Sequence, residues 1–344
     1  MASTKGLLRD GLWIKRTQSV YSPAQVGRWL SKIQYPGSVS GFEPNLDNLT
    51  HLLQLSAATF PFENTPMHYT PGHSMDISAE GLYERMVGSG GGEGSYCFGL
   101  NGLFLQMIRA LGFRAYATAG RINRETSWHL DPAFLSVGHM IIFVQPTEGS
   151  NETFVLDVGY GPVRPILLEE GAKIMGATPS ETYTLLRTAR AESSLKPSPD
   201  SESGIPAKVE WRLICCHSHK DASQPPISRV MYSFIEDEFF QADFDSFNYS
   251  VLGRRQGTFW ENVICTKYFW LTEEEMAGAE QYMGKLVMAG DSVRRNIGTT
   301  STVLRTMKTE RDRADALAEF FDIRISYENL VHIRGRGPEL NGEP

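Results

Sequence analysis

The spacing of apolar residues changes near residue 113, and that change limits the chain to folds in which helices and a sheet are drawn from separate stretches. Before it, the period is helical. Pro23 opens a segment with Val26, Trp29, Leu30 and Ile33 on one face, and Leu46, Leu49, Leu52, Leu53 and Leu55 repeat the stripe before Pro61 stops it. After it come short β-rich runs: RAYATAGRI, HMIIFVQ, TFVLDVG, TYTLLRT, KVEWRLICC and RVMYSFI. The Ser- and Pro-rich stretch at 191–208 reads as an exposed insertion. Beyond 240 the pattern mixes again, with strands in FWENVICTKYFWL, helices expected at 272–295 and about 308–320, a strand at FDIRIS, and a loose tail in GRGPELNGEP. The class is α+β, divided as 1–112 helical, 113–240 sheet and 241–344 mixed α/β.

With 344 residues, of which 41% are apolar and 11% aromatic, the chain supports more than one packed core and is too hydrophobic to be disordered. The formal charge of −7 and the lack of a Lys/Arg block argue against a nucleic-acid partner. Runs such as MIIFV are too short to cross a bilayer, and the opening MASTKGLLRDGLW has no apolar signal core, so a cytoplasmic protein with no membrane partner is expected. Four cysteines, two of them adjacent at 215 and 216, do not make a disulfide framework.

One cysteine stands apart. After Cys97, apolar residues fall at Leu100, Leu103, Phe104, Met107, Ile108 and Leu111, with Gly112 as the stop, so Cys97 sits at a helix N-terminus. Unpaired amides and the helix dipole there favour a thiolate. A small cysteine at a helix start equally suits packing, and the choice turns on partners. The runs at 139–145 and 151–158 flank PTEGSN, a turn-forming hexapeptide. A hairpin centred near residue 148 sets His139 opposite Asp157. An Asp that fixes one ring nitrogen leaves the other to hold a thiol proton, the base-and-orienter arrangement of nucleophilic catalysis. The alternative is a buried histidine satisfied by Asp157.

Two other motifs carry less. Cys215, Cys216, His217 and His219 lack a zinc spacing, and adjacent strand residues face opposite ways, so no metal is expected. GSGGGEG lacks the Lys-Ser/Thr ending of a phosphate loop and reads as a flexible approach to Cys97.

Together these segments resemble the arylamine N-acetyltransferase family. Pro61, Phe62, Glu63 and Asn64 match its Pro-Phe-Glu-Asn motif, GSYCFGLNG its nucleophile segment, VGHMIIFV its histidine strand and LDVGYG its aspartate segment. The resemblance implies a helical bundle, then a β-barrel, then an α/β lid around a cysteine-protease-like core, with Cys97, His139 and Asp157 catalytic. It also implies that Ser136, Val137 and Gly138 line the coenzyme A thiol end and that Phe62 and Tyr160 wall the acceptor pocket. An acyl-CoA, acetyl-CoA above all with propionyl and malonyl as alternatives, would donate to an aromatic amine or hydrazine by a ping-pong route. A longer chain than the bacterial members suits a eukaryotic, fungal-type homologue.

Two other readings stay open: a Cys-His-Asp hydrolase or amidase, and an impaired CoA-binding paralogue. The second draws on departures from the motif. Glu93 stands where an arginine is usual, Ser95 replaces a glycine, and Gly99 replaces a glutamate. The family's arginine contacts the motif carboxylate, so here Glu63 would face a like charge. Relief requires that Glu93 turn away or that another cation, Arg121 or Arg85, serve Glu63.

Overall fold

A computed structural model of the chain describes residues 6–125, 132–195, 209–218, 224–276 and 281–341. Most of the expected insertion at 191–208, and His219, lie outside them.

The first part is helical. Helix α1 (Pro23–Lys32) starts on a capping box between Ser22 and Gln25, and α2 (Leu46–Thr59) on the Asn45 side chain, which accepts from the Asn48 amide. A short strand β1 (Phe62–Glu63) and helices α3 (Pro66–Tyr69) and α4 (Ala79–Tyr83) follow, the last running into a π-turn over Glu84–Gly88. Helix α5 (Cys97–Ala110) ends at Gly112, whose φ of +92° suits glycine. Leu100, Leu103, Phe104, Met107 and Ile108 are all buried in one core with Trp29, Leu49 and Leu53. At roughly 1.5–3 kcal/mol for each large side chain, burial outweighs any propensity term in fixing α5.

The strands β2 (Arg114–Ile122), β3 (His139–Gln145), β4 (Phe154–Leu156), β5 (Ile166–Leu167), β6 (Lys173–Met175), β7 (Glu181–Ala189), β8 (Val209–His217) and β9 (Ile227–Phe234) come next. They form one antiparallel sheet in the order β5-β4-β3-β2-β9-β8-β7-β6. Ile141, Phe143, Val155, Ile166, Leu185, Leu213 and Phe234 share a core enclosed by the sheet, which curls into a nearly closed barrel. The other face of β2 and β3 packs on α5 through Ala115, Ala117, Met140, Ile142 and Val144. The fold is therefore α+β.

The last third holds α6 (Gln241–Gly253), α7 (Thr258–Glu261), β10 (Ile264–Trp270), β11 (Met283–Ala289), β12 (Ser292–Ile297), β13 (Thr300–Thr306) and α8 (Glu310–Phe321). A second antiparallel sheet runs β1-β10-β11-β12-β13. Three expectations are corrected here. In place of a helix at 272–295 stand one 3-10 turn (Glu273–Glu275) and the β11–β12 hairpin, which turns at Gly290 (φ +64°) and extends β10 by backbone pairing. FDIRIS is not a strand; it leads from α8 into a 3-10 segment over Tyr327–Ile333. The tail is tied down, because the buried Arg313 donates to the Pro338 carbonyl at 2.9 Å and the Leu340 amide to Glu310 at 2.8 Å. No helix among the described residues is long and apolar enough to cross a membrane.

Candidate active site

Three elements meet at the N-terminus of α5. The approach to Cys97 runs beside β1: the Glu63 amide donates to Ser95 O at 3.1 Å and the Ser95 amide to Pro61 O at 3.3 Å. A side chain at Gly94 would overlap the Pro61 carbonyl, so glycine is required there. A Cβ at residue 99 would likewise overlap the Ser95 hydroxyl. Ser95 and Gly99 thus depart from the family pattern together, one filling space the other vacates.

Cys97 is 5% exposed, and its Sγ lies 3.9 Å from the Gly138 carbonyl oxygen. Gly159 packs against it so closely that an added Cβ would sit 3.0 Å from the Cys97 Cα. His139, 1% exposed, begins β3, and its Nε2 donates to Asp157 Oδ2 at 2.7 Å. Nε2 is committed to Asp157, and the neighbouring Cys97 side chain acts on the imidazole in the same direction as the carboxylate, raising its affinity for a proton.

The hairpin carrying this pair differs in register from the expectation. Ile142 faces Leu156 and Val144 faces Phe154, which displaces the pairing by two residues and leaves Asp157 just past the end of β4. His139 and Asp157 therefore meet on a diagonal instead of directly across. A shift of two preserves the side-chain face, which is why they still meet.

Asp157 is 2% exposed and fully engaged. Its Oδ1 accepts from Asn101 Nδ2 at 2.9 Å and from the Gly159 and Tyr160 amides at 2.9 and 3.0 Å. Burial alone would strip charge from both His139 and Asp157, but each opposes that in the other. The imidazole is raised from 6.5 to about 10 by the carboxylate, and Asp157 is held below its usual range by the imidazole, Asn101 and the Tyr160 amide.

The remaining expected site residues surround this centre. Ser136, Val137 and Gly138 lead into His139; Ser136 accepts from the Arg254 guanidinium, and the Gly138 amide donates to Gly120 O at 3.1 Å. Tyr160 stands edge-on to His139, 6.3 Å between centroids. Phe62 packs instead on Phe259 at 6.0 Å, and Phe259 on Tyr96 at 5.6 Å. Asn64 Nδ2 donates to the carbonyls of Phe259 and Asn262 at 3.1 and 2.9 Å, so one residue of the Pro-Phe-Glu-Asn motif holds the segment that carries Phe259.

The sequence marks Asn101 as the asparagine of the nucleophile segment without giving it a partner, and does not mark Tyr232 or Phe259. Asn101 joins three pieces of the centre: Nδ2 also reaches Met140 O at 2.8 Å, and Oδ1 accepts from the Val158 amide at 2.8 Å. Its position one helical turn after Cys97, on the same face, was the available signal. Tyr232, 4.8 Å from the His139 ring, and Phe259 come from distant strands and helices and gave no local signal. Cys215 and Cys216 face opposite sides of β8, the first in the barrel core and the second accepting from Ser228 Oγ at 3.0 Å.

Comparisons with known proteins identify the family and the fold. A family model described as N-acetyltransferase matches residues 45–331. The N-malonyltransferase FDB2 of Fusarium pseudograminearum is 27% identical over 341 residues, covering 92% of this chain and 93% of its own. The arylamine N-acetyltransferase of Escherichia coli is 26% identical over 168 residues, 47% of this chain and 53% of its own. Among solved structures, the arylamine N-acetyltransferase of Mycobacterium marinum superposes with a TM-score of 0.67 at 20% identity, covering 90% of this chain and 97% of its own. With a match running from α2 to the last 3-10 segment, and a fold shared almost from end to end, the chain belongs to the N-acetyltransferase family, that of the arylamine N-acetyltransferases.

Proposed function

We propose that the protein is an acyl-CoA-dependent N-acyltransferase that moves a malonyl group to aromatic amines or hydrazines through an acyl-enzyme on Cys97. The observation that carries this reading is the buried His139–Asp157 ion pair set beside a cysteine at a helix N-terminus. The long match to fungal N-malonyltransferases supports malonyl over acetyl as the donor.

Each step assigns a proton. His139 takes the Cys97 thiol proton as the sulfur attacks, and Asp157 stabilises the imidazolium that forms. The sulfur attacks the thioester carbonyl carbon, a new C–S bond forms, the bond to CoA sulfur breaks, and the imidazolium proton passes to the departing thiolate. The amine nitrogen then attacks the acyl-enzyme, the bond to Cys97 breaks, and neutral His139 takes the proton released from nitrogen. Thioester replaces thioester in the first half, so that half is nearly balanced. Amides of the first turn of α5 would stabilise the tetrahedral oxyanion. Phe62, Phe259 and Tyr160 supply aromatic surface for a flat acceptor.

Intact-mass measurement after incubation with malonyl-, acetyl- and propionyl-CoA tests the reading. A malonyl adduct that is absent from Cys97→Ser and discharged by an arylamine supports it. An adduct discharged equally fast by water alone points to a hydrolase, and no adduct with any donor to an impaired paralogue.

A further inference from the structure

We propose that Arg336 is a positioning residue for the acceptor: by stacking on Trp260 it fixes α7, and with it the Phe259 ring offered to an aromatic amine. This rests on the aromatic-acceptor reading above.

Helix α7 has only four residues, too few to be stable alone, so its place is set by what grips it. On one side Asn64 and His68 share the same two carbonyls. His68 Nε2 lies 3.0 Å from Phe259 O and 3.1 Å from Asn262 O, and since both partners are acceptors Nε2 carries the proton. Burial, and after it the charge of Arg336, lower His68 to about 4, so the imidazole that makes these bonds is neutral.

On the other side stands Arg336 itself, its guanidinium carbon 4.2 Å from the centroid of the Trp260 ring. The side chain is half-buried, and its Nε makes no hydrogen bond among the described residues. Burial pulls it below the ordinary arginine value with no carboxylate acting against that, so the indole face is what stabilises the cation there. The backbone under it is tied down: the Arg336 amide donates to Ile333 O at 3.0 Å, the Glu339 amide to Arg336 O at 3.1 Å, and the Pro338 carbonyl accepts from Arg313 of α8.

Phe259, next to Trp260, packs on Phe62 and on Tyr96, the residue before Cys97. A rotation of α7 would move Phe259 relative to Phe62 and change the surface met by a flat ring. Cys97, His139 and Asp157 are held instead by α5, β3 and Asn101. Arg336 therefore bears on the second half-reaction and not on the first.

The test separates the half-reactions in the full chain. Malonyl-CoA, or acetyl-CoA should wild type refuse it, forms the acyl-enzyme in a single turnover read by intact mass. Discharge is then followed against the concentration of aniline and, separately, of hydrazine, which has no ring. Arg336→Gln is expected to raise the aniline concentration for half-maximal discharge roughly 3- to 10-fold, with acylation and hydrazine discharge within about twofold of wild type. Trp260→Leu should do the same, and the double variant Arg336→Gln/Trp260→Leu should add little, because the two side chains form one contact. Arg336→Lys should recover part of the loss. An unchanged aniline dependence, additive losses in the double variant, or equal losses in acylation and in both discharges overturns the proposal. Should Arg336→Gln not fold, Arg336→Lys decides: a higher aniline requirement with hydrazine discharge unchanged supports the assignment, and any other result overturns it. A wild-type acyl-enzyme that hydrazine discharges and aniline does not defeats the acceptor reading itself, and no acyl-enzyme from either donor defeats the acyltransferase reading, so these failures are distinguishable from that of Arg336.

Discussion

Arg85 forms an ion pair with the wholly buried Glu63, and in the same position its Nε donates to the Gly94 carbonyl at 2.8 Å, three residues before Cys97. The π-turn after α4 delivers it. Glu63 Oε2 is separately held by the Thr65 amide and hydroxyl at 2.6 and 2.7 Å. Glu93, which occupies the usual arginine position, turns to accept from Ser89 Oγ at 2.8 Å. The departure from the family motif is thus compensated by a cation from another element.

Arg85→Met should therefore destabilise the fold, because it strands a buried carboxylate. Removal of one member of a buried pair costs about 3–5 kcal/mol, and the 27% exposure of Arg85 reduces that to about 2–4 kcal/mol. Urea unfolding should show most of the loss restored in the double variant Glu63→Gln/Arg85→Met. Glu93→Arg should change stability by only about 0.5 kcal/mol, since Glu63 already has its cation. A gain above about 1 kcal/mol would mean that Arg85 serves it poorly.

The four thiols should differ in reactivity. Burial pushes Cys215 up to about 12 and raises Cys265 well above its ordinary value, whereas Cys97 has His139 beside it to take its proton. Brief iodoacetamide treatment near neutral pH, followed by peptide mass mapping, should modify Cys97 first. Labelling of Cys215 or Cys265 at the same rate would contradict the assignment.

Asp157→Asn keeps the shape of the carboxylate but removes the charge that holds an imidazolium. By analogy with Ser-His-Asp triads, acyl-enzyme formation should fall roughly 10³- to 10⁴-fold. Asn101→Ala should act through Asp157, leaving the Val158 amide and Met140 carbonyl without their partner. It should lower kcat and cost about 1–3 kcal/mol in stability. Full acylation rates in either variant would make the His139–Asp157 pair purely structural.

What could be read from the sequence follows from the range of the interactions involved. Cys97, His139 and Asp157 were legible because a helix start and a hairpin are local devices, and the two-residue error in register left their faces intact. Residues 272–295 were misread because Leu286, Met288 and Val293 are compatible with either period, and the strand outcome is set by pairing with β10. Tyr232 and Phe259 owe their places to contacts between elements far apart in the chain, for which spacing gives no signal. Glu93 illustrates the converse: the anomaly and its candidate remedies, Arg121 and Arg85, were visible in the sequence, and the structure chooses Arg85.

The charge state of His139 has a thermodynamic signature. Its folded value is raised from 6.5 to about 10, so the stability it gains from Asp157 is fully present below pH 6.5 and is lost as pH rises toward 10. Asp157 is held below 3.8, so its share is present above that value and disappears as acid protonates the carboxylate. The stability difference between wild type and His139→Gln should therefore be greatest between about pH 4 and 6.5, on the order of a few kcal/mol, and should shrink steadily to pH 10. Taking the difference cancels other groups that titrate alike in both proteins. Urea midpoints at unit pH intervals would measure it. A difference that stays level from pH 6 to 10 would mean that His139 is neutral throughout, and the proton transfer to the departing CoA would then need another source.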